Sequence, residues 1–216
     1  RSTPKPSSAA SDVYKRQLPN ILPVFPLSNF IIFPRTTVPL NIFEPRYIEM
    51  VDQSMKSNRI IGMIQPKKTG DLKKPDLYEI GCIGKITSFN ETEDGRILII
   101  LNGICRYKIN SELNTDKMYR ECNVQYDHFS KDIMQKSNEV NFSDLSLIMK
   151  NMRTFFKKQG YIVNLKDLEK KDLSQTLNDL SMASPFSLEE KQILLELSLI
   201  HISEPTRRRG ISYAVL

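Results

Sequence analysis

The side chains able to do covalent or metal chemistry are few and far apart. Cys82, Cys105 and Cys122 form no C-x-x-C pair, and His128 and His201 lie distant from each other. Structural zinc draws on closely paired ligands, so the cysteines read as buried free thiols in strands. Cys105 with His128 would make a thiol dyad, but Cys105 sits in an apolar run without a supporting local motif. Gly84-Lys85 is followed by Ile86, and no glycine stands five residues earlier, so the phosphate-cradling G-x-x-x-x-G-K-[ST] loop is absent. Gly81-x-x-Gly84 alone reads as a strand bulge or a tight barrel corner. There is no G-x-S-x-G elbow and no S-x-x-K. Glu189-Glu190 belongs to a helix cap rather than to an acid–base pair. No residue is therefore assigned a catalytic, cofactor-binding or metal-ligating role. Among surface features, Lys67-Lys68 and Lys73-Lys74 around Gly70 read as solvated lysines that discourage edge pairing. Lys157-Lys158 complement a helix C-terminus, and Arg46-Tyr47, in a first helical turn, reads as packing.

The elements that hold these residues begin at Leu18–Met50, which carries six of the chain's twelve prolines among short apolar pieces. Proline cannot donate to a ladder and extends the residue before it, so the stretch predicts short strands bent at corners. Pro45 differs, because at the first helical position its missing N–H is harmless. A helix is predicted from Glu44-Pro45, with Tyr47, Ile48, Val51 and Met55 on its apolar face. Strands are expected at Arg59–Gln65, Leu77–Phe89, Arg96–Leu101, Ile104–Ile109 and Met118–Tyr126. Glu93-Asp94-Gly95 is a hairpin turn. Arg96–Leu101 (RILIIL) is nearly all apolar and predicts burial on both faces, with Asn102-Gly103 breaking the run. Asp127–Asn141 is polar and reads as a linker.

Beyond it the period becomes helical. Phe142, Leu145, Ile148 or Met149, Met152 and Phe155-Phe156 line one face, closed by Gly160. Leu165, Leu168, Leu173, Leu177 and Leu180 form a second stripe. Ser187-Leu188-Glu189-Glu190 is a capping box opening a third helix with Ile193, Leu194 and Leu197.

The formal net charge of +6 belongs to the ends of the chain. Residues 1–17 and 198–216 hold seven of the 31 basic residues and two of the 25 acidic ones, leaving 24 against 23 between them. A concentrated basic face, the mark of a nucleic-acid site, is therefore not indicated. Both ends lack periodicity and resemble translated adaptor or vector sequence. They are read as unstructured, non-native tails. No stretch approaches the ~20 apolar residues of a membrane helix, no secretory h-region precedes Leu18, and the unpaired cysteines suit a reducing compartment. A cytoplasmic protein is expected.

The motifs LPVFPL (22–27), IFPRTTVPL (32–40), IFEPRY (42–47), YEIGCIGKI (78–86), DGRILIILNGICRYKI (94–109) and YRECNVQY (119–126) occur in that order. Together they resemble the N-terminal, substrate-binding domain of the Lon protease family. LNDLSMASPFSLEEKQILLEL (177–197) is similar to the helical end of small stand-alone bacterial members, which continue past the position of Leu197, so the chain reads as truncated there. The resemblance implies an α+β fold: a PUA-like β-barrel with a packed helix at 18–126, a linker at 127–141 and a C-terminal helical bundle at 142–197. It implies a non-catalytic, cofactor-free module without ATPase or peptidase motifs. Such a module would bind unfolded or extended polypeptide in protein quality control, with a protease or chaperone as further partner and neither nucleic acid nor membrane. The alternative is RNA binding, a role of PUA-like barrels elsewhere.

Since the tails carry no packing pattern, deleting residues 1–17 should leave the thermal midpoint within a few degrees. A large loss in a melting experiment would place that segment in the fold.

Overall fold

The computed structural model describes residues 18–67, 74–133, 150–151, 154, 156–158, 160 and 173–197. Its centre is a six-stranded mixed sheet of β1 (Ile21–Pro26), β2 (Thr37–Ile42), β3 (Ile60–Ile64), β4 (Ile80–Glu91), β5 (Ile97–Leu113) and β6 (Arg120–Gln125). The order is β2-β5-β4-β3-β1-β6, and β6 also pairs with β5. Five strands thus close a ring, while β2 extends it along the first half of β5. Only β1 and β3 run parallel. The ring encloses Leu22, Val24, Ile83, Cys105, Tyr107, Cys122 and Val124, all buried. The Tyr107 hydroxyl donates to the Met63 carbonyl at 3.2 Å. A Cβ at Gly81 would strike both that carbonyl and the tyrosine ring, so glycine there lets the plug fit.

Helix α1 (Pro45–Met55) opens as predicted, with proline in the first turn and the Glu44 carbonyl accepting from the Tyr47 and Ile48 amides. It buries Tyr47, Met50, Val51 and Ser54, while Ile48 and Met55 are half-buried. The face meets β1 and β3, with Tyr47 against Phe25, and belongs to a second apolar cluster that also holds the inward residues of β2 and the first half of β5. The chain leaves α1 through Arg59, whose φ of +61° reverses it and whose N–H donates to the Ser54 carbonyl at 2.9 Å. Gly95 takes φ +76° in the β4–β5 turn, where the sequence places a hairpin. Register shifts fall at Ile83/Gly84 and Ile86/Ser88.

Two expectations for β5 fail. The strand does not break at Asn102-Gly103 but runs on to Leu113. Gly103 stays within the strand, its N–H donating to the Thr36 carbonyl and its own carbonyl accepting from the Arg35 amide, both at 2.8 Å, while the register with β4 shifts just beyond it, from Gly84↔Gly103 to Ile83↔Cys105. A side chain at Gly103 would collide with the Phe33 carbonyl. Nor is Ile97–Leu101 buried on both faces. Ile97, Ile99 and Leu101 are buried in the second cluster, but Leu98 and Ile100 are 41% and 37% exposed, since only the inner side of the strand faces that core.

Past β6, residues 127–133, expected within a polar linker, fold as a 3-10 turn (Asp127–Phe129) and α2 (Ser130–Ile133), with Phe129 buried. The reason is Arg106. Its guanidinium binds both Asp132 carboxylate oxygens, at 2.8 and 2.7 Å, and lies 4.7 Å from the centre of the Phe129 ring. Further on come α3 (Leu173–Ala183) and α4 (Leu188–Glu196). The capping box at Ser187 and Glu190 forms in full. The side of α4 that packs inward carries Gln192 and Leu195; Ile193, expected on its apolar face, is exposed. Leu195 enters the same cluster as α1. Leu180 and Phe156 are buried as expected, and Gly160 has φ +78°. Phe142, Leu145, Ile148, Met149, Met152, Phe155, Leu165 and Leu168 lie outside the described residues, as do both tails.

Replacing Arg106 with leucine would strand the Asp132 carboxylate beside an apolar neighbour, both side chains being only 9% exposed. Urea unfolding should show a loss of about 3–5 kcal/mol, partly restored when Asp132 is also made leucine.

Candidate functional site

The register of β2, β5 and β4 fixes which side chains share the outer face. Thr37 pairs with Asn102, Pro39 with Ile100 and Asn41 with Leu98. Across β5, Asn102 pairs with Lys85, Ile100 with Ser88 and Leu98 with Asn90. Paired residues point the same way, so one surface carries Pro39, Ile100 and Leu98 among Thr37, Asn41, Asn90, Asn102 and Ser88. Lys85 is the charged member of this grid. Phe43, next in the outward parity of β2, is 64% exposed. It precedes the α1 cap, where an apolar side chain often folds onto the helix, yet it projects into solvent.

This surface holds apolar groups without a carboxylate, a histidine or a cysteine, and its lysine and hydroxyls form no acid–base pair. A mostly uncharged polar rim, with Lys85 as its one cation in the paired grid, around a few large apolar side chains suits contact with many sequences, because it imposes little charge complement. The sequence hid it. In RILIIL every position from Ile97 to Leu101 is apolar, so alternation carries no trace of which side faces water. The signal available was the strict alternation of Thr37–Ile42 on the neighbouring strand.

The residues weighed for chemistry are dispersed. Cys82, Cys105 and Cys122 are buried and free. Loss of hydration pushes the Cys82 and Cys105 thiols well up, with the Asp132 charge adding to it, and Cys122 rises to about 11. Such thiols are poor nucleophiles. His128 is exposed and edge-on to Phe129, at 6.5 Å between ring centres. Among the described residues no group of three or more His, Cys, Asp or Glu could hold a metal ion. His201, Lys68, Gly70 and Lys73 lie outside them, while Lys74 pairs with Glu112 at 3.1 Å. Glu112 also lines a cavity of about 240 Å³. There Arg120 grips both Glu112 oxygens and the Pro75 carbonyl, so its cation is already satisfied. Among the described residues no helix is long and apolar enough to cross a membrane.

The family model for the substrate-binding domain of ATP-dependent protease La (Lon) matches residues 21–201. A Lon protease of Syntrophus aciditrophicus is 25% identical over 209 residues, covering 89% of this chain and 25% of its own length. A Lon protease of Desulfosudis oleivorans is 31% identical over 103 residues, 46% of this chain and 13% of its own. The chain thus spans a quarter or less of the length of these relatives. A solved Lon N-terminal domain protein from Xanthomonas campestris shares the fold, with a TM-score of 0.60 at 19% identity over 82% of this chain and 90% of that one. So does the N-terminal domain of the Mycobacterium avium complex Lon protease, with a TM-score of 0.53 at 16% identity over 84% and 92%. The chain belongs to the Lon substrate-binding domain family.

Arg46 and Tyr47 adjoin the outer face at Phe43. Arg46 bonds Glu44 at 2.7 Å and stacks 4.5 Å from the Tyr47 ring centre, while Tyr47 is buried with its ring 4.2 Å from that of Phe25. Burial pushes the Tyr47 hydroxyl pKa up. Tyr47→Ala should lower unfolding stability by ~2–4 kcal/mol as a core truncation. Unchanged denaturation together with lost partner binding would make it a contact residue instead.

Proposed function

We propose that this domain binds unfolded or extended segments of other proteins through the outer β2–β5 face, as the recognition step of protein quality control. The observation that carries the reading is the exposed set of Phe43, Leu98 and Ile100 on one side of a well-packed sheet. Tyr107 fills the ring and removes an internal ligand site, so recognition falls to the outside. The family match supports the same direction, since it lies in a substrate-binding domain. We assign the domain no catalytic step and place it in the cytoplasm. Transfer of the bound client to a protease or chaperone is part of this proposal.

Affinity should be micromolar, because ordering a flexible client offsets several kcal/mol of the gross contact energy. Fluorescence anisotropy with a labelled, permanently unfolded protein should show binding that persists at moderate salt, as screening weakens only charged contacts. Leu98→Ser with Ile100→Ser should weaken it about tenfold or more at unchanged stability. Neither ATP nor casein should be hydrolysed. Binding of a structured RNA alone, with affinity collapsing as salt rises, would replace this reading by nucleic-acid recognition.

A further inference from the structure

We propose that Pro39 determines how the β2–β5 face holds an extended polypeptide: through side chains, without a continuous backbone ladder. The inference rests on the reading of that face as polypeptide-binding.

The argument starts from the direction of the backbone groups. The Gly103 N–H donates to the Thr36 carbonyl at 2.8 Å, so residue 36 turns its carbonyl toward β5. With the two-residue period of a strand, Val38, Leu40 and Ile42 do the same. Thr37, Pro39 and Asn41 direct their backbone groups away from β5. β2 ends the sheet order, and among the described residues no strand pairs with its outer side. Thr37, Pro39 and Asn41 are all exposed.

Such an edge can accept a further strand, a way to hold an extended chain through its backbone irrespective of its sequence. Here the outward donors are the amides of Thr37 and Asn41, and the one between them is missing because residue 39 is proline. An incoming strand would leave its carbonyl opposite Pro39 without a donor, in the middle of a six-residue edge. The Pro39 ring instead adds apolar area beside Ile100, its partner in register. The ligand class that follows is an extended polypeptide recognised by apolar side chains and free to slide in register. The same feature keeps the edge from templating strand pairing between clients, or between copies of the chain.

The test uses the full chain and Pro39→Val, with Pro39→Thr as a second variant. Circular dichroism and thermal melting verify the fold. The probes are an unstructured, apolar-rich peptide and the same peptide with alternate backbone amides N-methylated. The natural protein should bind both forms within about twofold, whereas Pro39→Val should bind the unmethylated form roughly tenfold tighter, the effect of one or two added hydrogen bonds. In sedimentation, Pro39→Val should also self-associate at concentrations where the natural protein does not. A tenfold-scale loss by the natural protein on N-methylation would overturn the proposal. So would variants matching it in both affinity and self-association. Failure of every protein to bind either peptide would remove the polypeptide-binding reading itself, and this inference with it. That outcome is separable from the others, in which peptide binding survives.

Discussion

The buried guanidinium of Arg106 is the constraint on which the arrangement of the chain depends. The side chain leaves β5 and meets the Asp132 carboxylate, the Phe129 ring and, through Nη1, the carbonyls of Leu195 and Leu197 at 3.1 and 2.8 Å. A cation removed from water is tolerated only where its donors are used, and the planar fork of arginine spreads several donors over fixed directions. Two segments distant in sequence, one holding Phe129 and Asp132 and the other ending α4, must therefore converge on it. The end of α4 is a suitable member of that group, because its last carbonyls are unpaired within the helix and carry partial negative charge. Elsewhere α4 holds the sheet lightly. Gln192 donates to the Ile80 carbonyl, but among the described residues its own side-chain oxygen is buried without a partner.

Much of the fold is legible from local chemistry. Pro45 marks a helix start, Gly95 a hairpin turn and Ser187-x-x-Glu190 a cap, and each rests on contacts within four residues. What escapes is whatever depends on distant partners. Nothing near Arg106 in the sequence announces Asp132, and a polar segment of mixed charge reads as a linker until its carboxylate is seen to be buried. Gly103 fails for a related reason: a turn-forming dipeptide was tolerated in mid-strand because the Phe33 carbonyl required the space. The outer face escaped because a uniformly apolar strand has no parity to read.

The packing is why the proposal puts recognition on that face. Tyr107 and its neighbours occupy the ring interior, and the inner side of β2 and β5 is buried in the cluster that includes α1 residues and Leu195. The outer side of the same two strands retains its exposed apolar side chains. A rigid sheet with one side sealed can leave the other unsealed without loss of cooperativity, and the proline-bearing edge restrains what that openness would otherwise invite.

The length of β5 has a mechanical consequence. Leu98 and Ile100 lie on the same strand as Arg106, which grips the end of α4. Tension between a polypeptide held at the outer face and the C-terminal helix would run along this single strand, over roughly 25 Å at the usual rise per residue. Because β4 flanks β5 over nearly this whole distance, the load is met in shear. Many ladder hydrogen bonds then resist together instead of parting one after another, so a load applied at the proposed binding face would meet the strongest direction of the sheet.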